Sequence, residues 1–443
     1  MARSYYIHTF GCQMNESDSQ RMGEALARAG WQQILAPDAA DLVLVNTCSI
    51  REKAEDKLFS ALGRYRLLKA QRGTKIGVAG CVAQQEKEKL LQRAPFVDFV
   101  LGPDHLDQVP RLAEQGGVAT DFLDTEEYLF PQADPETSRG RATAFVTAMK
   151  GCDNVCSFCV VPYTRGREVS RPYPELVREV ASLVAVGVRE VTLIGQNVNS
   201  YAGGCTFAEL IRRVAAVPGL LRIRFTTSHP MDLSPELTRA FHQVPQLMPH
   251  FHLPVQHGAD SVLQRMRRKY TIAEYERRIA ELPPDLSLTS DIIVGFPGET
   301  EAEHAQNLAF LARTAFDNLF SFLYSPRPHT GALLKLTEWG EIPRPLALRR
   351  LGEVQALQMA RTLERRRARL GAEVEVLVES PGFGRSRENW AVHFEGDAAV
   401  GDLVRVRVQG TSLVALRGAQ EAVVVKAPVF EPPARRRLSV VNA

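Results

Sequence analysis

The stretch from residue 144 to residue 159, AFVTAMKGCDNVCSFC, joins a short apolar run to three closely spaced cysteines. The apolar run is typical of a buried strand, and Cys152, Cys156 and Cys159 follow it in C-x3-C-x2-C spacing. Three thiols this close on one loop can converge on a metal, whereas structural cysteines are seldom clustered so tightly. The stretch therefore predicts a metal centre on a loop that directly follows a strand.

Outward from this stretch, strand and helix patterns alternate over residues 142–370. Six candidate strands lie at residues 144–149, 190–194, 221–226, 250–255, 286–294 and 318–324. This alternation predicts a partial (βα)6 barrel, whose reactive groups should lie at the carboxyl ends of the strands. Because the cysteine loop follows the first strand, we expect it at that end.

The number of cysteines on the loop indicates which metal centre it holds. A closed structural zinc site needs four ligands, whereas a 4Fe-4S cluster held by three thiolates keeps one iron open for a further ligand. No histidine close in sequence to the loop supplies a fourth ligand. The spacing resembles that of the radical S-adenosylmethionine (SAM) enzymes, in which the open iron binds SAM. A zinc-containing RNA-binding protein without enzymatic activity is the alternative from another class.

The N-terminal region repeats a strand, a turn and a helix. Three apolar runs lie at residues 5–9, 41–46 and 75–79, and Cys12, Cys48 and Cys81 each follow one of them. We predict an α/β domain with a doubly wound parallel sheet, in which these three loops share one edge. The sequence therefore predicts a second three-cysteine cluster, with three separately buried thiols as the alternative. Cys205 has no such context and is predicted to be a structural thiol.

The C-terminal region has a different pattern and carries the basic excess. Alternating runs broken by glycines at residues 374–378, 390–394, 403–408 and 412–416 predict a small antiparallel β-barrel. The chain has a net charge of +3, and residues 361–443 hold 14 basic against 10 acidic residues. We place domains at residues 1–120, 142–370 and 371–435, with a linker at residues 121–141.

Four stretches together resemble the methylthiotransferase family of radical SAM enzymes. They are TFGCQMN at 9–15, NTCSIREKAE at 46–55, GCVAQQ at 80–85 and CSFCVVPYTRG at 156–166. The resemblance covers nearly the whole chain and implies a C-terminal TRAM domain. Both cysteine sets are shared with relatives that modify threonylcarbamoyladenosine in tRNA or a ribosomal protein. The segments QMN at 13–15 and SIREKAE at 49–55 are similar to those of the family branch that acts on dimethylallyladenosine.

The resemblance implies a mechanism with two 4Fe-4S clusters. Cys152, Cys156 and Cys159 would hold the cluster that cleaves SAM to a 5′-deoxyadenosyl radical. The N-terminal trio, Cys12, Cys48 and Cys81, would hold an auxiliary cluster that carries sulfur. One SAM supplies the methyl group and a second supplies the radical that attacks carbon 2 of N6-dimethylallyladenosine at position 37 of tRNA, next to the anticodon. The implied product is the 2-methylthio derivative, and the implied electron donor is a flavodoxin or ferredoxin.

Residues at the predicted strand ends are candidates for binding SAM. They are Gln196, Asn197, Ser228, Gln256 and Asp291. For each, the alternative is a hydrogen bond to the loop backbone. The sequence departs from the family pattern at His257, where serine is usual, and at His329, where a Gly-Thr-Pro is usual, so the resemblance predicts no role for either.

Basic residues are the candidates for binding tRNA. Arg385, Arg387 and Arg405 in the predicted C-terminal barrel are expected to contact phosphates, and the basic run 265–269 is a second candidate. Arg165 is predicted to neutralise the SAM carboxylate or a phosphate, or to form an ordinary ion pair. No apolar run reaches the roughly 20 residues that span a bilayer, so we expect a cytoplasmic protein, and a monomer.

Overall fold

A computed structural model describes residues 3–49, 54–125, 128, 130–131 and 133–428. Ile50 to Lys53, which belong to the SIREKAE segment, lie outside the described residues. Residues 429–435, the end of the predicted C-terminal domain, also lie outside them. Within the described part of the chain, no helix is long and apolar enough to cross a membrane.

The N-terminal domain is a six-stranded parallel sheet covered by helices on both faces. Its elements are β1 Ser4–Phe10, α1 Gln13–Arg28, β2 Gln32–Gln33, β3 Leu42–Thr47, α2 Ala54–Arg72, β4 Lys75–Gly80, α3 Cys81–Glu86, α4 Glu88–Arg93, β5 Phe99–Leu101, α5 Val109–Gln115 and β6 Gly117–Ala119. The strand order is β2-β1-β3-β4-β5-β6, with every pair parallel. One core joins α1 and α5 to the sheet, and a second core packs α2 and α4 on the other face. The predicted doubly wound sheet is confirmed.

The strand order places the N-terminal cysteines at one point of this sheet. The chain direction across the sheet reverses between β1 and β3, which are neighbours. Ligands of doubly wound sheets bind at the carboxyl ends of the strands at such a reversal. Cys12 and Cys48 follow these two strands and Cys81 follows β4, the next strand in the sheet.

The central domain is an open barrel of parallel strands. Its elements are β7 Thr143–Thr147, β8 Met149–Lys150, α6 Val161–Thr164, β9 Val169–Ser170, α7 Tyr173–Ala185, β10 Glu190–Ile194, α8 Phe207–Ala215, β11 Arg222–Phe225, α9 Pro235–Gln243, β12 His250–His252, α10 Asp260–Arg265, α11 Ile272–Ile279, β13 Ser287–Val294, α12 Glu301–Arg313, β14 Asn318–Leu323, α13 Gly331–Leu334, α14 Leu336–Trp339 and α15 Arg344–Arg367.

The barrel consists of two halves, β7-β10-β11 and β12-β13-β14. A single parallel bridge, from Ile223 to Leu247, joins the halves, so β7 and β14 are the two end strands. All six predicted strands are present, and the partial (βα)6 barrel is confirmed. The first strand ends earlier than predicted, because Met149 and Lys150 pair with β9 as a separate antiparallel ribbon.

The C-terminal domain is a closed five-stranded barrel, as in TRAM domains. Its strands are β15 Glu373–Ser380, β16 Phe383–Ser386, β17 Ala391–Glu395, β18 Leu403–Thr411 and β19 Ala415–Val425. The ring order is β15-β16-β17-β19-β18, and four of its five pairings are antiparallel. The fifth pairing, β17 with β19, is parallel, so the predicted antiparallel barrel is confirmed apart from this one pair. A closed ring with an odd number of strands requires at least one parallel pair.

Two described residues of the predicted linker, Tyr128 and Phe130, lie at the junction between the first two domains. The Lys150 ammonium lies 3.7 Å from the centre of the Tyr128 ring, and the Arg171 guanidinium lies 5.9 Å from that of Phe130. These cation–π contacts hold the connecting segment against the barrel. Tyr128 and Phe130 therefore contact side chains of the barrel.

Candidate metal centres

The three N-terminal cysteines lie where strands turn into helices. Cys12 is the N-cap residue of α1, and Cys81 is the first residue of α3. Cys48 follows β3 and is buried, as is Cys81. A hydrogen bond from the Cys48 thiol lowers the pKa of Cys12 to about 6, and the positive charge of Arg165 adds to that shift against the effect of burial. These thiols therefore share one electrostatic environment at the sheet edge.

Glycines allow the cysteine loops to approach one another. A Cβ atom added at Gly11 would lie 2.8 Å from the Cβ atom of Cys48, and one at Gly80 would lie 2.5 Å from the Thr47 carbonyl oxygen. Gly80 also has a φ of +91°, which side chains rarely adopt. Any larger residue at either position would push the loops apart.

A buried arginine from the barrel joins this set. The Arg165 Nε–H donates to the Cys81 sulfur at 3.2 Å, and an Nη–H of the same guanidinium donates to Asp18 on α1 at 2.6 Å. All three side chains are buried, and burial raises the pKa of Cys81. Because Arg165 follows the barrel's cysteine loop in sequence, its bond to Cys81 attaches the segment after that loop to the N-terminal cysteine set.

The barrel's cysteine loop is held by three separate segments of the barrel. The Gly151 N–H donates to the Gln196 side chain at 2.6 Å, and the Ser157 N–H donates to the Met266 carbonyl at 3.0 Å. The Ala332 N–H in turn donates to the Ser157 carbonyl at 2.7 Å. Since Ala332 follows β14, the loop after the last barrel strand is fastened to the loop after the first.

Two of the loop thiols have raised pKa values, and the loop lies beside a second buried arginine. Burial, with a contribution from Cys156, raises the pKa of Cys152 and raises that of Cys159 to about 12. The Arg268 guanidinium donates to the Pro254 carbonyl at 2.6 Å and lies 3.5 Å from the Cys156 sulfur. Its positive charge offsets the charge of a thiolate at that position.

Both cysteine sets fit an iron–sulfur cluster by their donor chemistry. Among the described residues, no three His, Cys, Asp or Glu side chains are gathered closely enough to hold a metal ion. The cysteine sulfurs that hold a 4Fe-4S cluster each bind a different iron, so three such thiols need not share one ion. Each set offers three thiols and one buried guanidinium, Arg165 or Arg268, that can balance thiolate charge.

The five residues predicted to bind SAM differ in their burial and in whether their side chains already have hydrogen-bond partners. The Gln196 side chain already holds the cysteine loop, and Asn197 donates to Asp232 at 2.7 Å. Within the described residues, the buried Asn197 Oδ1 and Ser228 Oγ atoms have no hydrogen-bond partner. Gln256 is buried with a positive φ of 75°, and Asp291 is partly exposed beside it in the sheet. The two unpaired oxygens are therefore the groups best placed to receive a donor from a bound ligand.

The predicted tRNA contacts lie at the other end of the barrel. Arg222 and Arg224 donate to backbone carbonyls of residues 375 and 385–387. These bonds attach the C-terminal barrel beside β11. Arg385 is half-exposed 3.5 Å from Glu379, whereas Arg387 and Arg405 are exposed, with Arg405 3.6 Å from Glu373.

The structure shows the partners of the basic run 265–269 and of Arg165, for which the sequence offered binding roles. The basic run 265–269 was expected to contact tRNA, but Arg268 is buried beside Cys156, and Arg265 pairs with Glu303 at 2.9 Å. Both side chains therefore have partners within the barrel, because the segment turns inward against the cysteine loop. For Arg165, the ion pair is the alternative that the structure bears out. Its partner Asp18 had no signal in the sequence, since 147 residues separate the pair.

Two family models match the chain. The model described as "Uncharacterized protein family UPF0004" matches residues 4–102, and that of the "Radical SAM superfamily" matches residues 146–311. Radical SAM enzymes of known structure share the fold. A radical SAM methyltransferase, TsrM, from Kitasatospora setae has a TM-score of 0.56 at 14% identity and covers 76% of both chains. The cobalamin-dependent enzyme OxsB has a TM-score of 0.51 at 14% identity, over 76% of this chain and 55% of its own.

Curated relatives match almost the entire chain. A tRNA-2-methylthio-N(6)-dimethylallyladenosine synthase of Anaeromyxobacter sp. (strain Fw109-5) is 60% identical over 92% of this chain and 93% of its own. The enzyme of the same name from Myxococcus xanthus (strain DK1622) is 54% identical over 97% and 96%. The one from Geobacter metallireducens is 49% identical over 91% and 95%.

Proposed function

Because the chain belongs to the tRNA-2-methylthio-N(6)-dimethylallyladenosine synthases, a family of radical SAM enzymes, we propose that it attaches a methylthio group to carbon 2 of N6-dimethylallyladenosine at position 37 of tRNA. The observation that carries this proposal is the presence of two three-cysteine sets, with Arg165 of the barrel bonded to Cys81 and Asp18 across the domain junction. A reaction that inserts sulfur at an aromatic C–H bond needs both a radical source and a sulfur source.

The cofactors are two 4Fe-4S clusters and SAM, and they supply the methyl group, the radical and the sulfur. The chain's own part is to bind and position these groups. Cys152, Cys156 and Cys159 would bind the cluster that meets SAM, and Cys12, Cys48 and Cys81 the auxiliary cluster. Binding requires thiolates, so the raised pKa values of Cys81, Cys152 and Cys159 mean that each set releases protons as it is loaded.

Other residues position the cofactor and the RNA. Asn197 and Ser228 would accept hydrogen bonds from the polar part of SAM. Of the other candidates, Gln196 and Gln256 follow their strands, whereas Asp291 lies inside β13, beside His252. In the C-terminal barrel, Arg387 and Arg405 offer exposed guanidinium groups to phosphates. Arg385 is only half-exposed and lies 3.5 Å from Glu379. We further propose that the enzyme acts as a cytoplasmic monomer that takes electrons from a flavodoxin or ferredoxin.

The test uses reconstituted enzyme, SAM and a reductant, with tRNA that carries or lacks the dimethylallyl group. After digestion, mass analysis of the nucleosides should show the methylthio product only from the dimethylallylated tRNA. Product formed only on threonylcarbamoylated tRNA, or on a ribosomal protein, would contradict the proposal and assign the chain to a related activity.

A further inference from the structure

The last strand of the open barrel has an aromatic face. On β14, Leu319 and Leu323 pack into the core between the strands and the surrounding helices. Phe320 and Phe322 point to the opposite face, because side chains alternate along a strand. They remain 48% and 43% exposed, respectively, which is unusual for phenylalanines of a barrel strand.

This aromatic face, defined by Phe320 and Phe322, belongs to the inside of the barrel. The Phe320 ring centre lies 5.8 Å from that of His252, whose neighbour Phe251 is buried in the helix-facing core. Asp291 on β13 is paired in register with Phe320, and its carboxylate lies 3.6 Å from the His252 Nε2 atom. The inner wall of the barrel therefore combines two exposed phenyl rings with the polar side chains of His252 and Asp291.

The position of β14 makes this wall accessible. It is one of the two end strands of the open barrel, so the aromatic face borders the gap in the wall. The cysteine loop lies at the carboxyl end of the same opening, where Ala332 fastens it to the segment after β14. The aromatic face and the cysteine loop therefore border the same opening of the barrel.

We propose that the aromatic face of Phe320 and Phe322 receives the dimethylallyl-bearing adenine of the tRNA, an inference that rests on the function proposed above. The base offers a flat ring system, a polar edge and an apolar branched chain. The two phenyl rings match the flat and apolar parts, and the pair of His252 and Asp291 matches the polar edge. Recognition of the modified base, and hence preference for tRNA that already carries the dimethylallyl group, resides in these two rings.

The test measures RNA binding separately from catalysis. Fluorescence anisotropy with the reconstituted full chain compares an anticodon stem-loop that contains N6-dimethylallyladenosine with the same RNA containing adenosine. The wild-type protein should bind the modified RNA more tightly. Phe320→Ala and Phe322→Ala should each weaken binding of the modified RNA by about 5- to 100-fold, as expected for the loss of one ring against a base, and reduce the preference.

Controls separate this subsite from general effects. Leu67→Ala removes a side chain that is 61% exposed on α2 of the N-terminal domain, and it should leave both affinities unchanged. Phe320→Leu keeps the apolar bulk without the ring and serves if Phe320→Ala does not fold. SAM also contains an adenine, so SAM affinity is measured for each variant by equilibrium dialysis and should not change.

Three results would overturn the inference. They are a wild-type protein without preference for the modified RNA, variants that keep the wild-type preference, and variants that lose SAM affinity while the RNA preference is kept. Failure of the proposed function is recognised separately, because the wild-type enzyme would then form no methylthio product on dimethylallylated tRNA, whatever its binding preference.

Discussion

The ion pair between Asp18 and Arg165 joins the N-terminal domain to the barrel, and its removal should be costly. Arg165→Gln leaves the Asp18 carboxylate buried at 7% side-chain exposure without its cationic partner. Breaking a buried pair in this way costs about 3–5 kcal/mol, against about 0–1 kcal/mol for an exposed pair. Loss of the hydrogen bond to the Cys81 sulfur adds to this effect.

The pH dependence of this loss has a definite sign. Burial already raises the pKa of Asp18 in the folded protein, and removal of the Arg165 charge raises that pKa further. A carboxyl group whose pKa is raised by folding destabilises the folded state at high pH and ceases to do so as the pH falls through its folded pKa. The deficit of Arg165→Gln should therefore be largest at neutral pH and shrink on acidification.

The assay is urea unfolding followed by circular dichroism, with a matched control in the same loop. Arg167 pairs with Asp153 but is 77% exposed, so Arg167→Gln should change the unfolding free energy by less than about 1 kcal/mol. The double variant Asp18→Asn, Arg165→Gln should recover much of the loss, since no charge stays buried alone. The reasoning is refuted if Arg165→Gln costs no more than Arg167→Gln, or if the double variant is no more stable than the single one.

Three further predictions concern the cofactor sites. Cys48→Ala should keep SAM cleavage, measured as 5′-deoxyadenosine, but lose methylthiolation; retained methylthiolation would remove the auxiliary role of this set. Arg268→Gln should make the cluster at Cys156 harder to reduce, since a positive charge beside its sulfur is lost, and a redox titration followed by electron paramagnetic resonance should show a more negative potential. Burial acts to raise the pKa of Glu299, but the rings of His257 and His304, which lie 3.7 Å and 3.5 Å from its carboxylate, lower it from 4.5 to about 2. His257→Ser should therefore lower the unfolding free energy above pH 4.5, and this deficit should disappear as the pH falls towards 2; an equal deficit at both ends of that range would contradict the assignment.

Local patterns in the sequence were sufficient for the elements and for the position of each cysteine relative to its strand. The apolar runs before Cys12, Cys48 and Cys81 predicted parallel strands, and a parallel sheet brings their ends to one edge. By the same argument, the loop of Cys152 was predicted to follow the carboxyl end of the first barrel strand, and it does. These predictions succeed because strand and turn signals are set by neighbouring residues.

Contacts between distant segments could not be predicted in this way. Arg268 lies in a basic run that is typical of an exposed surface, yet the loop turns it inward to Cys156. The alternation of Phe320 and Phe322 is visible in the sequence, but only the register with β13 shows which face is inside. The hydrogen bond between Arg165 and Cys81 depends on how two domains pack, which no local pattern specifies.

The central claim is that six cysteines hold two iron–sulfur clusters, and metal analysis tests it most directly. Protein purified without oxygen should be brown and contain about eight iron and eight acid-labile sulfide ions per chain. Replacement of Cys48 or Cys152 by alanine should each reduce both counts towards four. A colourless protein that contains zinc and no acid-labile sulfide would contradict the account and leave a zinc-containing RNA-binding protein in its place.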